Sequence, residues 1–239
     1  MKELLEELNV RFSLAKAEEI LEYFTQKYPG RVSFATSLGM EDQVITHMLS
    51  RIAQKVHFFT LDTGRLFPET YELIDLTQKK YKIDIHLYFP GTKEVEEMVA
   101  EKGINLFYES VENRKLCCEI RKLQPLERAL AGMKIWINGL RRSQSHTRAD
   151  LNPVEWDETH QVMKVNPLIS WTDEAVLNYI KTHQVPYNPL HDQGFTSIGC
   201  QPCTRAILPG EDIRAGRWWW ELPQNRECGL HTHNKSEKP

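Results

Sequence analysis

Arg31-Val32-Ser33-Phe34-Ala35-Thr36-Ser37-Leu38-Gly39-Met40-Glu41-Asp42 reads as a short buried strand that passes through a loop of small residues into a helix. Apolar side chains at Val44, Ile45, Met48 and Ile52 continue the helix with its own spacing. Backbone N–H groups at such a helix start have no intrahelical partner, and the positive end of the helix dipole lies there, so the layout suits an anion. A plain capped turn between strand and helix has the same pattern.

Two further units of the same kind follow. Residues 55–61 read as a strand ending in Asp62-Thr63-Gly64-Arg65-Leu66-Phe67-Pro68, with helical spacing over 69–81, and residues 84–89 and 92–102 read as the next strand and helix. Three strand–helix units in succession predict an α/β fold with a doubly wound, mainly parallel sheet, whose ligands bind beyond the carboxyl ends of the strands. A helix over 13–28, capped by Ser13 and stopped by Pro29-Gly30, is expected to pack ahead of them. Residues 104–113 carry no clear pattern. Residues 115–131 predict one helix with Cys117 and Cys118 near its start, and residues 133–140 a fourth strand. That strand opens into Gly139-Leu140-Arg141-Arg142-Ser143-Gln144-Ser145-His146-Thr147-Arg148, a loop dense in cations and hydroxyls that reads as an anion site or as a solvated surface loop. A fifth strand over 161–167 and a helix opened by Thr172 and Asp173 complete the regular part. After Pro186, repeated proline and glycine leave an irregular C-terminal segment.

Five cysteines are distributed as two pairs, Cys117-Cys118 and Cys200-Gln201-Pro202-Cys203, and one remote thiol, Cys228. Four thiolates can complete tetrahedral zinc or a 4Fe-4S cluster. Side chains at i and i+1 of a helix diverge by about 100°, so adjacent thiolates converge poorly on one ion, and geometry favours the cluster. A redox disulfide between Cys200 and Cys203 is the remaining option. Cys228 stands near Arg226 and His231, cations that favour the nucleophilic thiolate, although an inert terminal thiol has the same sequence. Trp218, Trp219 and Trp220 are expected to pack the tail onto the body.

With 239 residues, 41% hydrophobic and 26% charged, and a formal net charge of -3, the chain has the composition of one soluble α/β domain with at most a small appendage. The negative charge excludes bulk attraction to nucleic acid. Residues 1–8 carry three glutamates and no apolar run of signal or membrane length, so the reading is cytoplasmic, with no membrane partner. Cysteines in such a compartment point to ligation or catalysis rather than a disulfide framework.

Four pieces together resemble a known family: Lys115-Leu116-Cys117-Cys118-Glu119-Ile120-Arg121-Lys122, Ser197-Ile198-Gly199-Cys200-Gln201-Pro202-Cys203-Thr204, Arg214-Ala215-Gly216-Arg217-Trp218-Trp219-Trp220 and Glu227-Cys228-Gly229-Leu230-His231. They are similar, in order, to the assimilatory adenylyl-sulfate (APS) reductases of iron–sulfur type, within the wider phosphoadenylyl-sulfate (PAPS) reductase family. The resemblance implies an adenine nucleotide α-hydrolase-like fold and thioredoxin-dependent reduction of APS to sulfite and AMP. It implies that Cys228 attacks the sulfate sulfur to leave an S-sulfocysteine, and that Cys117, Cys118, Cys200 and Cys203 hold a 4Fe-4S cluster that orders the site rather than carrying electrons. Lys122, Arg148, Arg214 and Arg217 would contact the phosphosulfate, while Thr36, Ser37, Leu38, Gly39, Leu61 and Gly139 would line the nucleotide. Lys122, four residues after Cys118, would link cluster charge to the sulfate. Residues 1–205 are then the nucleotide- and cluster-binding domain, and residues 206–239 a mobile tail hinged near Gly210. Leu38 stands where the family often has serine, so PAPS stays open as a main or additional substrate. The donor, thioredoxin or a glutaredoxin, and any homo-oligomer are also not set by the sequence. An ATP-dependent thiolase of the same superfold and a non-catalytic metal-stabilised binding module are the competing readings.

Overall fold

The structure, a computed structural model, describes residues 1–52, 55–144, 148 and 150–222. Its centre is a six-stranded sheet in the order β3-β2-β1-β4-β6-β5, formed by Val32–Ala35 (β1), His57–Leu61 (β2), Ile85–Tyr88 (β3), Ile135–Ile137 (β4), Val154–Asp157 (β5) and Val162–Val165 (β6). Each pairing is parallel except β5 with β6. The predicted strands are thus present but shorter, and β5 is an edge strand that the sequence reading missed. The chain runs outward from β1 through β2 to β3, then returns to place β4 on the other side of β1. The order therefore reverses between β1 and β4, and the crevice at that point is where such sheets bind ligands.

The central strands are buried on both faces, which is why they read as continuous apolar runs. Phe34, Ile135, Ile137 and Val165 are fully enclosed, packed with Ile45 of α3 (Met40–Leu49) and with Ile20, Leu21 and Phe24 of α2 (Ala17–Lys27). The expected helix over 13–28 is in fact α2 preceded by a separate helix, α1 (Lys2–Phe12). Ser13 ends α1 instead of starting α2: its hydroxyl donates to the Val10 carbonyl at 2.9 Å. Glu19 starts α2 by accepting from the Lys16 N–H at 3.1 Å. α1 buries Leu8 and Phe12, and Asn9 pairs with both backbone groups of Val154 at 3.0 and 2.9 Å, which caps the exposed edge of β5.

The remaining helices are α4 (Pro68–Tyr81), α5 (Thr92–Lys102), α6 (Val111–Cys118), α7 (Gln124–Leu130) and α8 (Asp173–His183). The helix expected over 115–131 is broken. α6 is capped by Ser110 and ends at the cysteine pair, a π-helical turn spans Glu119–Leu123, and α7 follows. Pro125 supplies the reason: it has no N–H for the Arg121 carbonyl and its ring would collide with that carbonyl in a regular helix, so the preceding turn widens. Cys117 and Cys118 consequently lie at the end of α6, not near the start of a long helix. Among the described residues no helix is long and apolar enough to cross a membrane.

Candidate active site

At the switch point a buried carboxylate lies between the loops after β1 and β4. Asp42, in the first turn of α3, accepts from the Ser37 N–H at 2.6 Å and the Ser37 hydroxyl at 2.7 Å. Across from it, a side chain on Gly139 would overlap the Asp42 carboxylate, so this glycine is what lets the two loops meet. Burial pushes the Asp42 carboxyl up to about 6, against the Ser37 hydrogen bonds that favour its charge. The Leu38 N–H donates to the Thr36 hydroxyl at 3.1 Å. Two of the loop's amides are therefore used inside the loop, and an anion in the crevice must rely on side-chain cations more than the sequence layout suggested.

Those cations are present. A cavity of about 550 Å³ opens at the switch point, the size of a nucleotide pocket. Thr36, Ser37, Gly39, Leu61, Lys122, Gly139, Arg148, Arg214 and Arg217, nine of the expected substrate contacts, line it. Phe59, Leu126 and Trp136 add an apolar floor suited to a base. Leu38 is the exception among the expected contacts. Its backbone is left-handed, with φ of 61°, and this turns the side chain away from the cavity to pack on Leu73 and Ile74. Cys228 and the tail from residue 223 lie outside the described residues, as do Ser145, His146 and Thr147 of the cationic loop.

Arg141, in the same loop, is a wall residue held by acids. It donates to Glu41 at 2.7 and 2.9 Å and pairs with Asp173, and its side chain is almost fully buried. Thr63 is a second unassigned wall residue. Its hydroxyl lies 3.2 Å from Cys200 Sγ, and its carbonyl accepts from Arg121 at 2.6 Å.

The four paired cysteines meet behind this wall, on a void of about 20 Å³, with Arg65, Arg114, Arg121 and Lys122 around them. All four are free thiols, so no disulfide joins Cys200 to Cys203. Burial raises Cys117 against the pull of Arg121, and burial with the neighbouring Cys200 pushes Cys203 up to about 12. For Cys200 burial also opposes ionisation, but Lys122, the Thr63 hydroxyl, Arg217 and Arg121 outweigh it and hold the thiol below its ordinary value. Among the described residues no three His, Cys, Asp or Glu side chains are arranged around a single-ion site. The donor set itself, four uncrosslinked thiols in a cationic surround, has the chemistry to hold a multinuclear thiolate-bound group. Lys122 and Cys200 border both the small void and the large cavity.

Arg217 reaches the cavity from the chain that follows Cys203. Its guanidinium lies where a side chain on Gly199 would sit, 2.5–2.6 Å from the position of that missing carbon, and stacks on Trp218 at 4.6 Å. Gly199 and Gly216 are thereby explained: the first makes room for Arg217, the second lets the backbone pass close to the Arg205 carbonyl.

The chain has relatives among known proteins. The phosphoadenosine phosphosulfate reductase domain family matches residues 31–206. A protein of Allochromatium vinosum named adenosine 5'-phosphosulfate reductase is 52% identical over 200 residues, covering 84% of this chain and 78% of that protein. A protein of the same name from Neisseria meningitidis is 44% identical over 92% of this chain and 91% of its own length. Among solved structures, a phosphoadenylyl-sulfate reductase from Candida auris in complex with phosphate superimposes with a TM-score of 0.75 at 29% identity, covering 87% of this chain and 98% of that one. An FMN adenylyltransferase of Candida glabrata, at 16% identity and a TM-score of 0.57, shares the fold alone. The fold is adenine nucleotide α-hydrolase-like, as the sequence resemblance implied. With the family matched over most of the chain and relatives of this identity along nearly all of it, the chain belongs to the phosphoadenosine phosphosulfate reductase family, oxidoreductases acting on a sulfur group.

Proposed function

We propose that this protein reduces adenylyl sulfate to sulfite and AMP, in the cytoplasm and for sulfate assimilation, with thioredoxin as electron donor. The observation that carries the proposal is that Lys122, Arg148, Arg214 and Arg217 line one nucleotide-sized cavity together with the apolar Phe59, Leu126 and Trp136. In this reading the base packs on Phe59, Leu126 and Trp136 and the phosphosulfate is met by those four cations. Sulfate presents anionic oxygens to an incoming thiolate, and fixed cations that neutralise them remove the repulsion and stabilise the charge that builds on the leaving phosphate.

Cys228 is the nucleophile in this reading. Its sulfur forms a bond to the sulfate sulfur, the bond from that sulfur to the phosphate oxygen breaks, and AMP leaves with the electron pair. The enzyme then carries an S-sulfocysteine. A thioredoxin dithiol supplies two electrons: sulfite departs, Cys228 returns as a thiol, and thioredoxin becomes a disulfide. Because Cys228 must meet the nucleotide and then thioredoxin, the tail after residue 205 is proposed to move about Gly210, a motion that opens the buried contacts of residues 215–221 with the body. Gly210 has φ of 87° and open space around it.

The four thiols are proposed to hold a 4Fe-4S cluster, with Cys117, Cys118, Cys200 and Cys203 as ligands. Such a group supplies a charged, rigid anchor next to the substrate. Arg65, Arg121 and Lys122 would offset its negative charge, and Lys122, on the wall shared by both cavities, would carry the effect to the sulfate. PAPS is the alternative substrate, supported by the likeness to the Candida auris enzyme.

Steady-state rates with APS and with PAPS, using reduced thioredoxin and anaerobically purified protein, test the reading. Faster sulfite release from APS and about four irons per chain are expected. Zinc in place of iron, or no sulfite from either nucleotide, would refute it.

A further inference from the structure

The chain between the cysteine turn and the tail, residues 204–221, is fastened to both cysteine pairs by different means. On one side it is fastened to the turn that bears Cys200 and Cys203. The Trp218 N–H donates to the Cys203 carbonyl at 3.2 Å, and Arg217 Nε donates to the same carbonyl at 3.3 Å. On the other side it is fastened to α6, which bears Cys117 and Cys118. The Glu221 carboxylate accepts from Arg114 through two parallel hydrogen bonds of 2.9 and 2.8 Å, and both side chains are only 3% exposed. Arg114 stands about one turn before Cys117. Trp218 is clamped between the two guanidiniums, with Arg114 at 4.8 Å and Arg217 at 4.6 Å, and packs in the same cluster as Cys117 and Cys203.

A buried ion pair adds little net stability, because desolvation of both charges offsets their attraction, and an apolar pair of equal volume would hold two segments as firmly. What the two-pronged geometry adds is direction: Glu221 pairs well only if α6 and the Cys200–Cys203 turn keep one relative placement. We propose that Arg114 and Glu221 form a latch through which the placement of the two cysteine pairs sets the position of the arm that leads to Cys228. The catalytic side of this inference rests on the proposed role of Cys228. The latch itself does not. Arg114 and Glu221 are positioning residues, and separation of the cysteine pairs releases the arm.

The test is amide hydrogen exchange of residues 215–222 in the full chain, in Glu221→Gln, Cys203→Ser and the double variant, with exchange in β1 and α2 as the folding control. Glu221→Gln is expected to speed exchange in 215–222 by about a hundredfold, since loss of one member of a buried pair is strongly destabilising, and Cys203→Ser is expected to speed it by loosening the turn that holds Trp218; both leave the control unchanged. The double variant is expected to go no further than the larger single effect. In Glu221→Gln, AMP affinity stays near that of the wild type, while the KM for APS rises and kcat falls, because Arg217 lies on the released arm. Exchange in 215–222 that does not respond to Glu221→Gln, or effects of the two variants that multiply, would overturn the latch. Where the control amides also loosen in Glu221→Gln, Arg114→Lys keeps the charge, loses the two-pronged bond, and is expected to speed exchange in 215–222 about tenfold; no change there would overturn the latch equally. Sulfite production by Cys228→Ser, with an arm that still answers to Cys203, would instead fail the functional reading and leave the latch standing.

Discussion

The carboxylate of Asp42 occupies the space that a side chain on Gly139 would need, and this contact, beside the Arg141–Glu41 ion pair, ties the loop after β4 to the start of α3. The contact sits at the point where the strand order reverses, so it sets the shape of the crevice itself. Asp42 is held from the other side by two short bonds to Ser37 and has little room to retreat. Gly139→Ala is therefore expected to lower stability by about 1–3 kcal/mol, the cost of overpacking a tight contact, and to weaken AMP binding through the displaced loop. Urea unfolding and titration calorimetry read the two effects; wild-type behaviour in both would show that the loops can part freely.

The same carboxyl gives a pH dependence with a definite sign. Its value is raised from 3.8 to about 6, mainly by burial. The folded chain then holds this proton more tightly than the unfolded chain, so the contribution of Asp42 to stability is full below about pH 4 and is lost as pH rises through about 6. The loss is about 3 kcal/mol by pH 7 from a shift of this size. Asp42→Asn removes the titration. The difference in unfolding free energy between wild type and Asp42→Asn should change across this range, and curves that run parallel from about pH 4 to 7 would contradict the assignment.

Lys122 shares a wall with Cys200 and helps hold that thiol below its ordinary value. If it also faces the sulfate, Lys122→Met should weaken APS binding by about tenfold to a hundredfold, the range for a charge-assisted hydrogen bond, and leave AMP nearly unaffected. Equal losses for APS and AMP would place Lys122 at the nucleotide phosphate instead.

Several of these relationships were legible in the sequence, and the reasons are local. The β1–α3 unit shows because a strand buried on both faces is an apolar run and the glycine and small residues of its loop follow at once. The cysteine pairs show because spacing survives folding. α1 is readable in principle from the spacing of Leu4, Leu5, Leu8 and Phe12. Other features depend on what comes together in space. The π-helical turn arises from a collision between Pro125 and the Arg121 carbonyl, and the outward turn of Leu38 from a left-handed backbone that single-residue preferences do not announce. Arg114 and Glu221 are separated by 107 positions, and neither has a local pattern that points to the other. Arg141 lay within a loop already read as cationic, yet its neutralisation by Glu41 and Asp173 is a tertiary fact.

Removal of the group proposed for the four thiols gives a further prediction. Anaerobic chelation should bleach the visible absorbance and lower APS affinity more than AMP affinity, because Lys122 faces the sulfate end of the cavity in this reading. A preparation stripped of iron that binds APS and AMP as before would separate the cysteine nest from the substrate site.

The central claim is that Cys228 takes the sulfonate from APS. Intact-protein and peptide mass spectrometry of enzyme incubated with APS, without any thiol donor, tests it directly. The account predicts one added SO₃ group on the peptide containing Cys228, stoichiometric release of AMP, and loss of the adduct as sulfite when reduced thioredoxin is added. AMP release with no adduct, or an adduct on Cys117, Cys118, Cys200 or Cys203, would contradict it.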